Sequence, residues 1–554
     1  MPEPRPGRRA IGAGLAGIAL CLAAGALFFG SLDRLWPLPG VALVADGEAL
    51  ELRARGLLDA RQFDLTGYRA ARRLVADTRT VDYIDRAFGR ERTLDWIERG
   101  APLYGHRVYF KKSGETTSYG VEIHPTAGIN GWWQRLEEDR PGASLGEESA
   151  RALALAALRD GLGLDPTLYE ERSHAVVEQV ARRDHAFRYE RLLSEEPELR
   201  ERVDLRIAGG RVGRAVRSWL VPGEARRGAR AAEAPAQALE TVGFALLAVA
   251  VVAAFFIFLT KLRAGSAELA APALWSGVVF ACLLGTYALQ HAELFAYWEP
   301  LWPRWVSDLR YVVFRAIQEV WIVVVLLALI AAGDALDRES GAGRGASLRL
   351  LGRGRLLAAP VALASARGFL VGLLCGGVMT LAVLALQAAL DAPAALQPRG
   401  FFFYPLNSAS PPATTLLFFL GVALAEELGY RYFGGGWILA WTGRRLPAIA
   451  IPAVIYGLTH TRLDFLPTAE PFWARALVLT LVGAVWGWAF LRYDALTVVL
   501  SHYTADLFIF NWPRLASAQS AAVAVSLATI AVPLIPALLW LVIRGPARLS
   551  AARR

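Results

Sequence analysis

Long apolar runs separated by charged stretches dominate this chain of 554 residues. The runs are about twenty residues long, the length that a helix needs to cross the hydrocarbon core of a bilayer. They show neither the alternation of a half-buried strand nor the one-sided pattern of a soluble helix. The pattern predicts about ten transmembrane helices, at residues 11–30, 238–260, 268–290, 311–332, 367–390, 412–433, 447–465, 474–491, 495–511 and 521–543.

The stretch from residue 31 to residue 237 is different, because it is rich in Arg and Glu and contains no run that could span a bilayer. Short alternating segments such as HRVYF predict strands, and RVDLRIAGGRVGRAVRSWLVP predicts a hairpin that turns at Gly209–Gly210. Two helices are predicted, over residues 65–88 and over residues 147–163. We interpret residues 31–237 as a soluble α+β domain.

The fold class that follows is an all-α polytopic membrane bundle with an N-terminal α+β extracytoplasmic domain inserted after the first helix. An Ala- and Arg-rich linker near residues 223–237 leads into the bundle. We divide the chain into an anchor (1–30), the soluble domain (31–237), helices with a cytoplasmic loop (238–366), a C-terminal helical core (367–543) and a basic tail (544–554).

Basic residues cluster beside the apolar runs and give a net charge of +9. No nucleic-acid motif accompanies them, whereas clusters next to membrane spans follow the positive-inside rule. Alternating the spans from an inside N-terminus places all of the clusters in the cytoplasm: Lys261–Arg263, Arg344 to Arg355, Arg444–Arg445, Arg492 and the tail from Arg544 to Arg554. We expect an integral protein of a bacterial inner membrane, with residues 31–237 outside, both termini in the cytoplasm and no nucleic-acid partner.

The three cysteines, Cys21, Cys282 and Cys375, all lie inside apolar runs. There they behave as small buried hydrophobic residues and form neither a CxxC pair nor a zinc knuckle. The sequence predicts no disulfide framework.

Two adjacent carboxylates, Glu426 and Glu427, stand inside the apolar run TTLLFFLGVALAEELGYRYF, with Arg431 four residues after Glu427. On a helix Glu427 and Arg431 share a face, while Glu426 points about 100° away. Arg431 can then neutralise Glu427 and leave Glu426 free to act as a base. The alternative is a buried ion pair that only helps helices to pack.

Two further pairs of polar residues occupy later apolar runs. Tyr456 and His460 lie one helical turn apart, and so do His502 and Asp506. Taken alone, His502 and Asp506 could be an internal hydrogen bond, and His460 an interfacial residue. Together with the two glutamates, they place carboxylates and imidazoles on three helices, which a bundle can gather around one water-activating cavity.

The three motifs, taken in order, resemble the CAAX proteases and bacteriocin-processing enzymes, the CPBP or abortive-infection family. The family pattern is EExxxR on one transmembrane helix, FxxxH on the next and HxxxN or HxxxD on a later one. Here the motifs read EELGYR at 426–431, YGLTH at 456–460 and HYTAD at 502–506. The resemblance covers roughly residues 367–543, and its one departure is Tyr456 in place of Phe, which adds a hydroxyl that needs a partner.

The resemblance implies an intramembrane peptidase in which Glu426 and His460 activate water, and His502 and Asp506 stabilise the oxyanion or complete the site. It also implies supporting roles for Glu427 and Arg431. Participation of zinc stays open: Glu426, His460 and His502 are suitable zinc ligands, but their spacing is not that of HExxH.

We therefore predict an endopeptidase that cuts a membrane-associated peptide or protein, with the lipid bilayer as its other partner. Two alternatives belong to other classes. Buried acidic residues and histidines also build the proton relays of transporters, although no obvious repeat between the halves supports that function. A non-catalytic sensor or immunity protein would use the outer domain to bind a partner and the bundle as an anchor.

The arrangement of basic loops generates a topological prediction. Protease added to intact spheroplasts should remove residues 31–237, because this domain is expected on the outer side of the membrane. Cleavage that appears only after lysis would show that the orientation is reversed.

Overall fold

The computed structural model describes residues 8–36, 45–195, 198–390, 404–462, 471, 473–517 and 519–551. Within them a mixed α+β region precedes a helical bundle, as the sequence predicts in outline. The helices are α1 (Arg8–Gly30), α2 (Leu32–Leu35), α3 (Gly47–Asp59), α4 (Thr78–Phe88), α5 (Arg90–Glu98), α6 (Glu147–Ala156), α7 (Gly223–Arg263), α8 (Ala270–Leu289), α9 (His291–Tyr297), α10 (Arg304–Ser340), α11 (Ala346–Gly352), α12 (Ala359–Leu390), α13 (Pro411–Glu427), α14 (Gly436–Thr442), α15 (Arg445–Thr459), α16 (Ala474–Arg492), α17 (Ala495–Leu515), α18 (Ser520–Ala531) and α19 (Ile535–Ala551).

An antiparallel sheet of eight strands forms the centre of the N-terminal region. Its strands are β1 (Arg69–Ala76), β2 (Tyr104–Lys111), β3 (Ser118–Ile123), β4 (Ile129–Arg135), β5 (Glu170–Glu178), β6 (Arg183–Ser194), β7 (Leu199–Ala208) and β8 (Arg211–Leu220). The order β1-β2-β3-β4-β8-β7-β6-β5 joins two meanders of four strands through the β4–β8 pair. Helices α3 and α6 contribute Leu58 and Ala154 to the apolar core that the sheet covers.

The predicted hairpin at Gly209–Gly210 is confirmed, since β7 and β8 pair on either side of it and both glycines have positive φ. The single helix predicted over residues 65–88 is wrong. Its first part is β1, which pairs with β2 from Arg69 opposite Lys111 to Ala76 opposite Tyr104. Only after Asp77, whose carboxylate caps the chain at Thr80, does α4 begin. Pairing with a distant strand thus overrides the local helical pattern.

Seven helices in the described part of the chain are long and apolar enough to cross a membrane. The remaining three predicted spans are also helical but differ in character. The apolar helices Gly14–Gly30 and Arg445–Thr459 are shorter. Helix α17 is long, but it carries His502, Asp506 and Asn511, and all three are buried inside the bundle. Its polar residues therefore face protein and not lipid, as polar groups at membrane depth must.

The segment predicted as a linker, near residues 223–237, is helical. Helix α7 begins at Gly223 and continues without a break for 41 residues to Arg263, with Pro235 inside it. Ala and Arg are good helix formers, so this composition supports a helix once the segment continues into an apolar span. The last strand of the sheet thus passes almost directly into a membrane helix.

The sheet is joined to the bundle along its β1 and β2 edge. The side chain of Asn407, four residues before α13, accepts a hydrogen bond from Leu74 N at 2.7 Å and donates one to Leu74 O at 3.4 Å. Lys111 Nζ donates to Phe295 O, Ala296 O and Trp298 O at 3.0, 3.1 and 2.9 Å. A cation at these carbonyls offsets the negative end of the α9 dipole.

The basic loops gather at the other end of the bundle. Lys261, at the end of α7, forms an ion pair with Glu339 near the end of α10. Ala495 N, at the start of α17, donates to Arg344 O at 3.0 Å. The N-terminal domain, residues 31–237, contacts the opposite helix ends, through α9 and Asn407. This separation is what the positive-inside argument requires, while the side of the membrane on which each end lies stays a prediction.

The Asn407 contact generates a prediction about the attachment of the outer domain. Asn407→Ala should leave Leu74 N–H without its partner at an edge strand and cost about 1–2 kcal/mol locally. Hydrogen exchange at Leu74 should become faster. Asn407→Asp keeps the acceptor and is the matched control, so it should protect Leu74 better than alanine does. Equal exchange in all three proteins would contradict this role for Asn407.

Candidate active site

Helix α13 ends at Glu427, and the chain continues as a π-helical segment from Leu428 to Gly435. π-Helical turns inside membrane or soluble helices often occur at functional sites, because the extra residue redirects side chains. Arg431, in this segment, donates from Nη1 to Glu427 Oε1 at 2.9 Å. The side chains of Arg431 and Glu427 are only 2% and 1% exposed, so the pair is removed from water.

Arg431 is held by a carbonyl oxygen and aromatic rings, while its Nε has no hydrogen-bond partner among the described residues. Its Nη2 donates to Gly483 O at 3.3 Å, and its Cζ lies 4.6 Å and 5.1 Å from the ring centres of Tyr456 and Trp486. A Cβ at Gly483 would lie 2.8 Å from Nη2, so this position needs glycine for the guanidinium to fit. The cation is thus positioned by hydrogen bonds and aromatic faces together.

Glu427 has a second partner that the sequence does not reveal. His502 Nδ1 lies 2.8 Å from Glu427 Oε1, the same oxygen that Arg431 contacts. The carboxylate accepts, so His502 Nδ1 carries a hydrogen and Nε2 points away from Glu427. Glu427 therefore links α13 to both the π-helical segment and α17.

Glu426 faces a different direction, as predicted, and lies between the two imidazoles. Its Oε1 is 3.3 Å from His460 Nε2, and its Oε2 is 3.9 Å from His502 Nε2. The Oε2 atom is buried and has no hydrogen-bond partner among the described residues. A buried carboxylate oxygen without a partner needs a donor, which a bound water or a substrate would supply.

The ring of His460 has a defined orientation. Its Nδ1 lies 2.7 Å from Tyr456 O, and a carbonyl oxygen only accepts, so Nδ1 carries the hydrogen. Thr459 Oγ1, 3.0 Å from the same nitrogen, is in turn 2.9 Å from the Tyr430 hydroxyl. His460 Nε2 is left to face Glu426. The contact between these two atoms holds a single proton, which either the ring or the carboxyl group carries.

Asp506 completes the group on α17. Its Oδ2 lies 3.4 Å from His502 Nε2, so carboxylates flank both nitrogens of that ring. Trp486 stacks on His502 with ring centres 4.2 Å apart and an interplanar angle of 21°, and its Nε1 donates to Ser501 Oγ at 3.0 Å. Nothing in the motifs identifies Trp486, because its only signal is an aromatic residue in an apolar run.

Glu426, His460, His502 and Asp506 line one cavity of about 520 Å³. Its other walls are almost entirely apolar and come from α1, α7, α10, α12, α13, the π-helical segment, α15, α16 and α17. His502 follows Ala495, at the basic end of the bundle, by seven residues, which corresponds to roughly 10 Å of helix. The polar group thus lies roughly 10 Å along α17 from the basic end of the bundle and faces an apolar cavity.

A role for zinc, with Glu426, His460 and His502 as its ligands, stays a prediction. In the described part of the chain, no three side chains of the His, Cys, Asp or Glu type have donor atoms arranged to hold a metal ion. We derive no chemical step through a metal.

The histidines of the outer domain have structural roles where their contacts are defined. His124 Nδ1 accepts from Thr126 N and Ala127 N at 3.2 and 3.0 Å, and burial lowers its pKa to about 4. His174 and His185, which the sequence leaves apart, are neighbours on β5 and β6 with Nε2 and Nδ1 3.0 Å apart.

Residues 408–508 match a family model described as Type II CAAX prenyl endopeptidase Rce1-like. The match includes all three motifs and ends two residues after Asp506, so the resemblance inferred from them is confirmed over this segment, which is an Rce1-like domain. The match implies a peptidase. No curated protein and no solved structure matched the chain.

The buried pair generates a prediction about stability. Glu427→Gln should leave Arg431 buried without a compensating charge and lower the free energy of unfolding by about 3–5 kcal/mol. Combining it with Arg431→Met should restore much of that loss, because no single charge stays buried.

Thermal midpoints of the purified proteins in detergent measure both effects. Glu268→Gln, whose carboxylate pairs with Arg338 and is 65% exposed, is the matched control and should change the midpoint little. A double variant less stable than Glu427→Gln alone would contradict the charge argument.

Proposed function

We propose that the chain is an intramembrane endopeptidase that hydrolyses a peptide bond in a membrane-associated protein or peptide, using a water molecule activated by Glu426. The observation that carries this proposal is the buried, unpartnered Oε2 atom of Glu426, on the wall of a cavity that His460 and His502 also line. A general base needs such a free acceptor beside the space where water and substrate meet.

In the first step, a water molecule held by Oε2 of Glu426 attacks the carbonyl carbon of the substrate. Glu426 takes one proton, directly or through His460, while the water oxygen forms the new bond to carbon. The carbonyl π electrons move to the oxygen, which becomes an oxyanion. His460 is oriented for this role by Nδ1, because its bond to Tyr456 O keeps Nε2 towards Glu426.

In the second step, the tetrahedral intermediate collapses and the C–N bond breaks. The proton held by the Glu426 and His460 pair passes to the departing nitrogen, so the products are a carboxylic acid and an amine. His502 faces the cavity with Nε2, and its flanking carboxylates, Glu427 and Asp506, both favour a second proton on the ring. In that form Nε2 can donate to the oxyanion.

The apolar cavity also indicates which class of substrate the site would accept. Its apolar walls lie at membrane depth, so they suit a peptide that reaches the site from the bilayer or carries an apolar group. The matched family model is described as a prenyl endopeptidase. For this chain we propose a broader substrate class, a membrane-associated peptide.

Replacement of the base tests the proposal. Glu426→Gln is nearly isosteric and removes only the proton acceptor, so hydrolysis of a membrane peptide should fall by roughly 100-fold or more while the protein stays folded. Peptide release by the purified protein in liposomes measures this effect, with Glu268→Gln as a control that should retain activity.

Near-normal hydrolysis by Glu426→Gln would refute the assignment of the base. Absence of hydrolysis in both proteins, accompanied by proton uptake across the liposome membrane that depends on Glu426, would favour the proton-coupled transporter instead.

A further inference from the structure

Hydrolysis of a peptide bond creates negative charge on the carbonyl oxygen, and the site needs hydrogen-bond donors to stabilise it. Few of the polar groups near the cavity can donate. Asp506 accepts hydrogen bonds when ionised and then offers no hydrogen. Trp486 Nε1 donates to Ser501, and Arg431 donates to Glu427 and Gly483. Trp486 Nε1 and both terminal nitrogens of Arg431 are therefore occupied, and Arg431, whose Nε has no partner among the described residues, does not line the cavity.

The Tyr430 hydroxyl is also occupied, through Thr459 Oγ1 at 2.9 Å. The imidazoles donate from Nε2 only when they carry a second proton. The capacity of each imidazole as a donor therefore depends on its protonation state. A neutral donor that is always available would remove this dependence.

Tyr456 has the required properties. It lines the cavity, its side chain is buried, and its hydroxyl has no hydrogen-bond partner among the described residues. Its ring lies 4.2 Å from that of His460 and perpendicular to that of His502 at 6.1 Å. The charged groups that face it are Glu426, Asp506, Arg431 and Glu427.

The rest of Tyr456 is held firmly. Arg431 covers one ring face, Trp486 packs against the ring edge-on, and the carbonyl oxygen of Tyr456 binds His460. These contacts use the ring and the backbone and leave the hydroxyl unused. The hydroxyl is not among the buried side-chain atoms that lack a partner, and Tyr456 lines the cavity, so a ligand atom in the cavity can meet it.

We propose that the Tyr456 hydroxyl donates a hydrogen bond to the oxyanion formed during peptide hydrolysis, and so provides the donor that the carboxylate of Asp506 lacks. This inference rests on the proposed function. In the step itself no covalent bond to Tyr456 forms or breaks, and its O–H bond stays intact. The hydrogen bond from the hydroxyl to the substrate oxygen shortens as negative charge develops on that oxygen. Tyr456 is in this sense a catalytic residue, since it touches the reacting atoms.

The test uses full-length protein in liposomes and a membrane peptide that the wild type cleaves. Tyr456→Phe keeps the ring and all of its packing, so KM should change less than about twofold while kcat falls by roughly 100-fold, as on removal of one oxyanion donor. Tyr503→Phe is the matched control. Its hydroxyl donates to Leu416 O at 3.1 Å outside the cavity, and kcat should be near that of the wild type.

A second substitution separates donation from structural support. Asp506→Asn supplies an amide N–H beside the same space. Because Asp506→Asn also removes a carboxylate beside His502, the effect of Tyr456→Phe on kcat is measured relative to the Asp506→Asn single variant. Tyr456→Phe should lower kcat at least tenfold less in that background than in the wild type, because one donor replaces the other. A variant that merely repaired packing would raise the thermal midpoint without raising kcat.

The outcomes are distinct. If the wild type cleaves the peptide and Glu426→Gln does not, but Tyr456→Phe has a normal kcat, the role of Tyr456 is refuted while the proposed function stands. A loss confined to KM or to thermal stability also refutes it, and so does a loss of kcat on Tyr456→Phe that is equally large in the wild-type and Asp506→Asn backgrounds. If the wild type itself cleaves no membrane peptide, the proposed function fails.

Discussion

Glu427 accepts from Arg431 and His502 in a part of the bundle that excludes water, and the site depends on this arrangement. A single charge at that depth would be costly, so each partner is tolerable only while the others are present. One carboxylate oxygen contacts both donors. This oxygen thereby connects α13, the π-helical segment and α17. Because Glu426 is adjacent to Glu427 in the chain, the same contacts also fix the position of Glu426.

The same constraint explains the composition of α17. Eighteen of its 21 residues are buried, including His502 and Asp506. A helix that is polar at several positions can lie at membrane depth only when other helices surround it. The bundle therefore has an outer layer of apolar spans, and α17 lies within it. The cost of burying its polar groups is offset by their contacts with one another and with α13.

The sequence predicts the members of the site better than their contacts. Spacing of one helical turn identifies Glu427 with Arg431 and His502 with Asp506, because such pairs interact within a helix. It does not predict the contact of Glu427 with His502, which joins residues 75 positions apart and depends on packing between helices. The sequence does not identify Trp486 either, because its stacking on His502 also depends on packing between helices. In the outer domain, residues 69–76 have a helical pattern but form β1, since pairing with β2 outweighs local propensity.

The length of α7 has a mechanical consequence. One end of this helix follows directly from the last strand of the sheet, and farther along Phe244, Leu247 and Val251 form part of the cavity wall. An α-helix is stiff along its axis, so α7 would transmit a movement of the sheet to the cavity wall. Pro235 lies between the sheet and the cavity wall. Its missing N–H removes one backbone hydrogen bond of the helix and lowers the bending stiffness of α7 there. Pro235 is therefore the position at which α7 would bend most easily.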